Sequence, residues 1–121
     1  MYEAAGSMPF FEALVDRFYA GVAADPDLLA LYPEPNDLSG ARHRLTLFLA
    51  QYWGGPSTYG EERGHPRLRM RHAPFAIGPE QRDHWIAHMS AALDVVAPTP
   101  ELRARLDEYF AFAAESMRNR E

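Results

Sequence analysis

Gly54-Gly55-Pro56-Ser57-Thr58-Tyr59-Gly60-Glu61-Glu62-Arg63-Gly64-His65-Pro66-Arg67-Leu68-Arg69-Met70-Arg71-His72-Ala73-Pro74-Phe75 decides the reading of this chain. Gly54-Gly55-Pro56 stops the helix before it, because two glycines favour a C-terminal cap and proline cannot continue an N–H ladder. A loop is expected over residues 54–65, then a short helix over 66–73 that carries His72 and is closed by Pro74. Leu68, Met70 and Phe75 back that helix with apolar surface. About two turns of helix bury little on their own. An imidazole there, beside Arg63, Arg67, Arg69 and Arg71, is a candidate for chemistry and not only for packing.

Outward from this stretch the pattern is helical. No alternating Val/Ile/Thr/Tyr run and no Asn-Gly or Asp-Gly hairpin signal occurs. Phe11, Leu14, Val15, Phe18 and Val22 form one stripe at helical spacing; Ser7 is expected to cap that helix and Asp25-Pro26 to end it. Asp25 caps a short second helix with Pro26 in its first turn, running through Leu28, Leu29 and Leu31 to Tyr32, before Pro33 and Pro35 force a loop. Asp37 or Ser39 opens a third helix with Leu38, Ala41, Leu45, Phe48, Leu49 and Tyr52 on its inner side. A fifth begins at Gly78-Pro79 and carries Trp85, Met89, Leu93 and Val96 as far as Pro98. The last starts at Thr99-Pro100-Glu101, with Leu102, Leu106, Tyr109, Phe110, Ala113 and Met117 inward. The expectation is one all-α domain over residues 1–121, of four substantial helices and two short ones.

The totals narrow the function. With 121 residues, 47% of them hydrophobic, and a mean hydropathy of −0.36, the chain has the composition of a soluble globular domain. No apolar run approaches the ~20 residues of a membrane span, and Met1-Tyr2-Glu3-Ala4-Ala5-Gly6 lacks the basic and apolar regions of a signal peptide. The absence of cysteine removes disulfides, thiolate nucleophiles and thiolate metal sites. A cytoplasmic protein is expected. The net charge of −5 argues against nucleic acid as a partner. Against that acidic background the arginines around His65 and His72 are either a solvated face or an anion site for carboxylates.

Five histidines are candidates for ligation. His43 lies between Arg42 and Arg44 on a polar flank, and His65 precedes Pro66 as an entry to the short helix. His84 and His88 are one turn apart, but no third ligand and no metalloprotease glutamate accompany them, so they read as incidental surface histidines. His72 alone has apolar Leu68 one turn back and Ala73-Pro74-Phe75 after it. Such an imidazole suits a cofactor that is apolar in its body, carboxylated at its edge and metallic at its centre. Haem fits that description, and its iron takes a neutral histidine as axial ligand in oxygen-binding proteins. Tyr19, Tyr32 and Trp85 each put a hydrogen-bond donor on an aromatic body. Taken singly each reads as core; together they can point three donors at one small ligand.

Five stretches carry a resemblance: Arg17-Phe18-Tyr19, Leu31-Tyr32-Pro33-Glu34, Phe48-Leu49-Ala50-Gln51-Tyr52-Trp53-Gly54-Gly55-Pro56, Gly64 to Phe75, and Arg82-Asp83-His84-Trp85. On them, and over nearly its whole length, the chain resembles the group II truncated haemoglobins, oxygen-avid bacterial globins with a shortened two-over-two helical sandwich around haem b. The resemblance implies His72 as the proximal iron ligand and Trp85, Tyr19 and Tyr32 as the distal cluster. It implies Arg71 and Arg44 as propionate partners, with Tyr59 at the same edge. Leu45, Phe48, Leu68 and Phe75 are implied as apolar haem contacts. Ala41 matches the distal-gate position; because Pro33-Glu34-Pro35-Asn36-Asp37 runs one residue longer than the family form, Gly40 is the alternative.

Three functions follow from these residues. The first is reversible binding of O2, CO or NO at penta-coordinate iron, with the three donors slowing release. The second is redox chemistry on the same site, as a nitric oxide dioxygenase or with peroxide, which would call for an external reductase. No acid neighbours His72 to strengthen its donation as peroxidases prefer, which leans towards binding. The third is a cofactor-free helical interaction domain, which leaves the arginines and the donors unexplained. A monomer or a homodimer is expected.

Overall fold

Phe11, Leu14, Val15, Phe18 and Val22, the stripe that repeats at helical spacing, have no exposed surface at all. The computed structural model describes residues 2–32, 36–64, 77–96 and 99–119. Among them every regular element is a helix: α1 (Tyr2–Ala5), α2 (Ser7–Ala23), α3 (Pro26–Leu29), α4 (Ser39–Tyr52), α5 (Thr58–Arg63), α6 (Pro79–Val96) and α7 (Pro100–Met117). Helix α2 is the centre, packed on both α4 and α6, while α6 pairs with α7 and α5 with α4. The two pairs, α2 with α4 and α6 with α7, make the two layers. Met89 and Leu93 of α6 and Leu106 and Phe110 of α7 complete the core around the α2 stripe. Burying a residue such as Phe18 contributes roughly 1.5–3 kcal/mol.

Two expected caps are present. The Asp25 carboxylate accepts from the Leu28 amide at 3.3 Å and Thr99 Oγ1 from the Leu102 amide at 3.2 Å, each ahead of a proline in the first turn. Helix α4 begins at Ser39, with Leu38 at the N-cap and no side-chain cap, while Asp37 just ahead accepts from both the amide and the hydroxyl of Ser39, at 3.0 and 2.6 Å.

Three expectations are corrected. Ser7 does not cap α2. It is the first helical residue, with φ 59°, after Gly6 at φ 120°, and no side chain caps that end. The extra helix α1 reaches this turn from the other side, held by the Tyr2 amide on the Trp53 carbonyl at 2.8 Å. The expected loop over 54–65 contains α5, because Gln51 Oε1 accepts from the Gly60 amide at 2.8 Å and Tyr59 buries its ring against Phe48. Tyr52 is not inward: it is 55% exposed, turned to Tyr109 with ring centroids 4.4 Å apart. The expected short helix over 66–73, the loop at Pro33 to Pro35 and the stop at Pro98 lie outside the described residues.

Candidate functional site

Between the two layers lies a cavity of about 390 Å3, within the range of small-molecule and cofactor sites. Every long helix contributes to its wall. From α2 comes Tyr19, beside Phe18 at the edge of the buried stripe. Leu28, Leu31 and Tyr32 come from α3 and the turn after it. Helix α4 gives Ala41, Arg44, Leu45, Phe48 and Leu49; α5 gives Tyr59 and Arg63. Gln81, Arg82 and Trp85 line it from α6, and Tyr109, Phe110, Ala113, Ala114 and Met117 from α7.

One side is an aromatic wall with polar tips. Phe18 sits edge-on between Tyr19 and Trp85, with centroid distances of 4.9 and 5.1 Å. Tyr19 meets Tyr32 at 5.7 Å, and Trp85 is backed by Phe110 at 5.7 Å. Burial raises the pKa of the Tyr19 hydroxyl, against the partial offset of a hydrogen bond from Tyr32. Burial also raises that of Tyr32, reinforced by the Tyr19 charge and by its own donated hydrogen bond. Both phenols therefore stay protonated across the neutral range.

The rest of the lining is apolar except for three arginines, Arg44, Arg63 and Arg82, Gln81, and the hydroxyls of Tyr59 and Tyr109. Arg82 pairs with Glu115 of α7 at 2.6 Å and with Asp83 at 3.1 Å. Gln81 accepts from the Gly78 amide at 2.9 Å, fixing the first turn of α6. Ile77, which also lines the cavity, exchanges two hydrogen bonds with Asn119, at 2.9 and 2.8 Å, tying the start of α6 to the residues after α7. No aspartate, glutamate or histidine lines the cavity among the described residues.

Of the residues singled out in the sequence, Tyr19, Tyr32, Trp85, Ala41, Arg44, Leu45, Phe48 and Tyr59 come together around this one cavity. Leu68, Arg71, His72 and Phe75 lie outside the described residues. Ala41 lines the cavity, while the place a side chain would take on Gly40 meets the Arg44 guanidinium at 3.0 Å. The contribution of α7 was not foreseen: Tyr109, Phe110, Ala113 and Met117 read as ordinary core stripe. Two adjacent alanines in that stripe are the signal of space left open. His43, on its polar flank, pairs with Glu62 at 3.0 Å. His84 and His88 are not independent surface residues, since both reach Asp25.

A model of the bacterial-like globin family matches residues 1–119. Group 2 truncated hemoglobin YjbI of Bacillus subtilis (strain 168) is 42% identical over 118 residues, which span 98% of this chain and 87% of that protein. The X-ray structure of a thermostable hemoglobin from the actinobacterium Thermobifida fusca is 57% identical. It superposes with a TM-score of 0.94 over 98% of this chain and 95% of its own. The group II truncated hemoglobin from Bacillus anthracis superposes with a TM-score of 0.93 at 39% identity, over 99% and 97% of the two chains. The chain belongs to the bacterial-like globin family, as a truncated haemoglobin, and haem is the cofactor that membership implies.

Proposed function

We propose that the chain holds haem b through His72 and that the cavity lined by Tyr19, Tyr32 and Trp85 takes O2, along with other diatomic molecules such as CO and NO. When bound, the cofactor supplies an iron atom at which a diatomic molecule coordinates reversibly. The lining of the cavity is the observation that carries this reading. Leu28, Leu45, Phe48, Leu49 and Phe110 offer apolar contact to a flat ring, and Arg44, Arg63 and Arg82 offer cationic partners to carboxylates at its edge. Arg71 and Tyr59 are assigned to that same edge, and Leu68 and Phe75 to apolar contact.

Tyr19, Tyr32 and Trp85 hold the small ligand. The Tyr19 and Tyr32 side chains meet, and burial keeps both hydroxyls protonated at neutral pH, so each has a proton to donate. Trp85 approaches from the other side of Phe18. A donor in such a setting contributes about 1 kcal/mol, so two of them slow release by roughly thirtyfold. Proton supply inside the cavity rests on phenols of raised pKa and one indole, a set suited to holding a ligand more than to cleaving one. The protein is then a cytoplasmic single-domain holder of O2, monomeric or dimeric, with an external reductase keeping the iron ferrous. No helix among the described residues is long and apolar enough to cross a membrane.

The test is the ultraviolet–visible spectrum as isolated, reduced and re-exposed to air. A strong Soret band and an oxygenated form that lasts through the recording are expected, with haem affinity collapsing in His72→Ala. A protein that stays colourless after adding haem, or a His72→Ala variant that keeps haem as tightly, overturns the proposal.

A further inference from the structure

A second set of ligand-type side chains lies on the outer side of the cavity wall, where α6 crosses the α2–α3 junction, and haem binding gives it no role. Asp25 Oδ1 caps α3, while its Oδ2 lies 2.8 Å from His84 Nδ1 and 2.8 Å from His88 Nε2. His88 is held in place from behind: a Cβ on Gly21 would come within 2.5 Å of its Nδ1, so only glycine leaves room for the imidazole. Asp27, exposed at the rim, adds a second carboxylate. Ligand atoms of Asp25, Asp27 and His84 all lie within 4.8 Å of one another.

We propose that Asp25, Asp27, His84 and His88 form a site for a divalent transition-metal ion, with Zn2+ the best match. Two imidazole nitrogens and two carboxylate oxygens make a four-coordinate N/O set of the kind zinc accepts, whereas Mg2+ and Ca2+ take oxygen ligands. Both imidazoles already converge on one carboxylate oxygen, so the ion replaces the protons that now join them to Asp25. Zinc–nitrogen bonds of about 2.0–2.1 Å then ask for side-chain shifts, largest at exposed Asp27, which is gathered with Asp25 and His84 but must swing towards His88, while His88 stays packed on Gly21. The bound ion cross-links α6 to α2 and α3. It does so one residue from Trp85, on the far side of the wall that faces the cavity.

The experiment is calorimetric titration of the haem-loaded protein with zinc chloride at neutral pH. One equivalent is expected to bind, the melting temperature to rise with free zinc as for any ligand specific to the folded state, and Mg2+ to give no heat. His84→Gln and His88→Gln keep a hydrogen-bonding amide for Asp25 but lose the ligand nitrogen, and each is expected to weaken zinc by at least about tenfold. His43→Gln, at the separate Glu62 pair, is expected to leave affinity unchanged. Melting curves without zinc establish that each variant folds. Absence of one-site binding in the parent, or zinc affinity that survives His84→Gln/His88→Gln, overturns the proposal.

Discussion

Trp85→Phe isolates the donor from the aromatic body that carries it. The Trp85 ring is wedged between Phe18 at 5.1 Å and Phe110 at 5.7 Å, and a phenyl ring on the same Cβ keeps both edge contacts. What disappears is one N–H at the cavity wall. A neutral hydrogen bond contributes about 0.5–1.5 kcal/mol, and one to a group carrying charge about 1.5–3. A ligand that gains negative character on binding falls at the junction of these ranges, near 1.4 kcal/mol, which is about tenfold. Within one binding site such differences appear mainly in the dissociation rate. Mixing the oxygenated protein with excess CO in a stopped-flow instrument reads that rate directly. CO is a poor acceptor, so its own release, displaced by NO, serves as the steric control. The expected result is O2 release about ten times faster and CO release changed by less than about threefold. Unchanged O2 release, or equal acceleration of both gases, refutes the donor role of Trp85.

Two further outcomes concern stability. Phe18→Ala removes a fully buried ring that touches both Tyr19 and Trp85; a loss of about 3–5 kcal/mol is expected by denaturant titration, with Phe18→Leu losing less than half as much. Arg103 of α7 reaches α6 through Asp94 at 2.7 Å and the hydroxyl and carbonyl of Ser90 at 3.0 and 3.2 Å, and is steadied by Asp107 one turn along its own helix at 3.0 Å. Arg103→Ala is expected to cost about 1–2 kcal/mol, and Arg103→Lys nearly as much, because an ammonium cannot span the same fork of acceptors. Urea midpoints with an unchanged slope measure both.

The four long helices were legible because their apolar residues repeat at the helical period and their ends carry local chemistry, Asp25-Pro26 and Thr99-Pro100 above all. Where the deciding partner is distant in sequence, legibility fails. Gly60 inside Thr58–Arg63 argues for a loop by propensity, and the helix forms because Gln51 and Phe48 supply a hydrogen bond and a packing face from α4. Tyr52 shares the period of its neighbours but sits at the edge of the stripe, where Tyr109 offers a ring and solvent the rest. The spacing of His84 and His88 was visible; the carboxylate that joins them is 59 and 63 residues away and only the fold brings it there. Tyr19, Tyr32 and Trp85 each read as core by periodicity; their shared donor-on-aromatic chemistry grouped them, and the resemblance then gave the group a role.

Their arrangement around Phe18 explains why a donor cluster can be held without polar support from the protein interior. A hydroxyl buried among apolar groups usually needs a fixed partner, and supplying one from the backbone would spend the donor. Here the two phenols lie against each other and both stay protonated, while Phe18 packs edge-on against both Tyr19 and Trp85. Phe18 has no exposed surface and belongs to the most deeply buried stripe of the fold. The geometry of the donors is therefore inherited from the core of α2, not from a loop. Under the proposed function, slow ligand release and thermal stability are coupled through that one side chain. Truncating it is expected to raise the O2 dissociation rate as well as lower the melting temperature, though Phe18 offers no polar atom to any ligand.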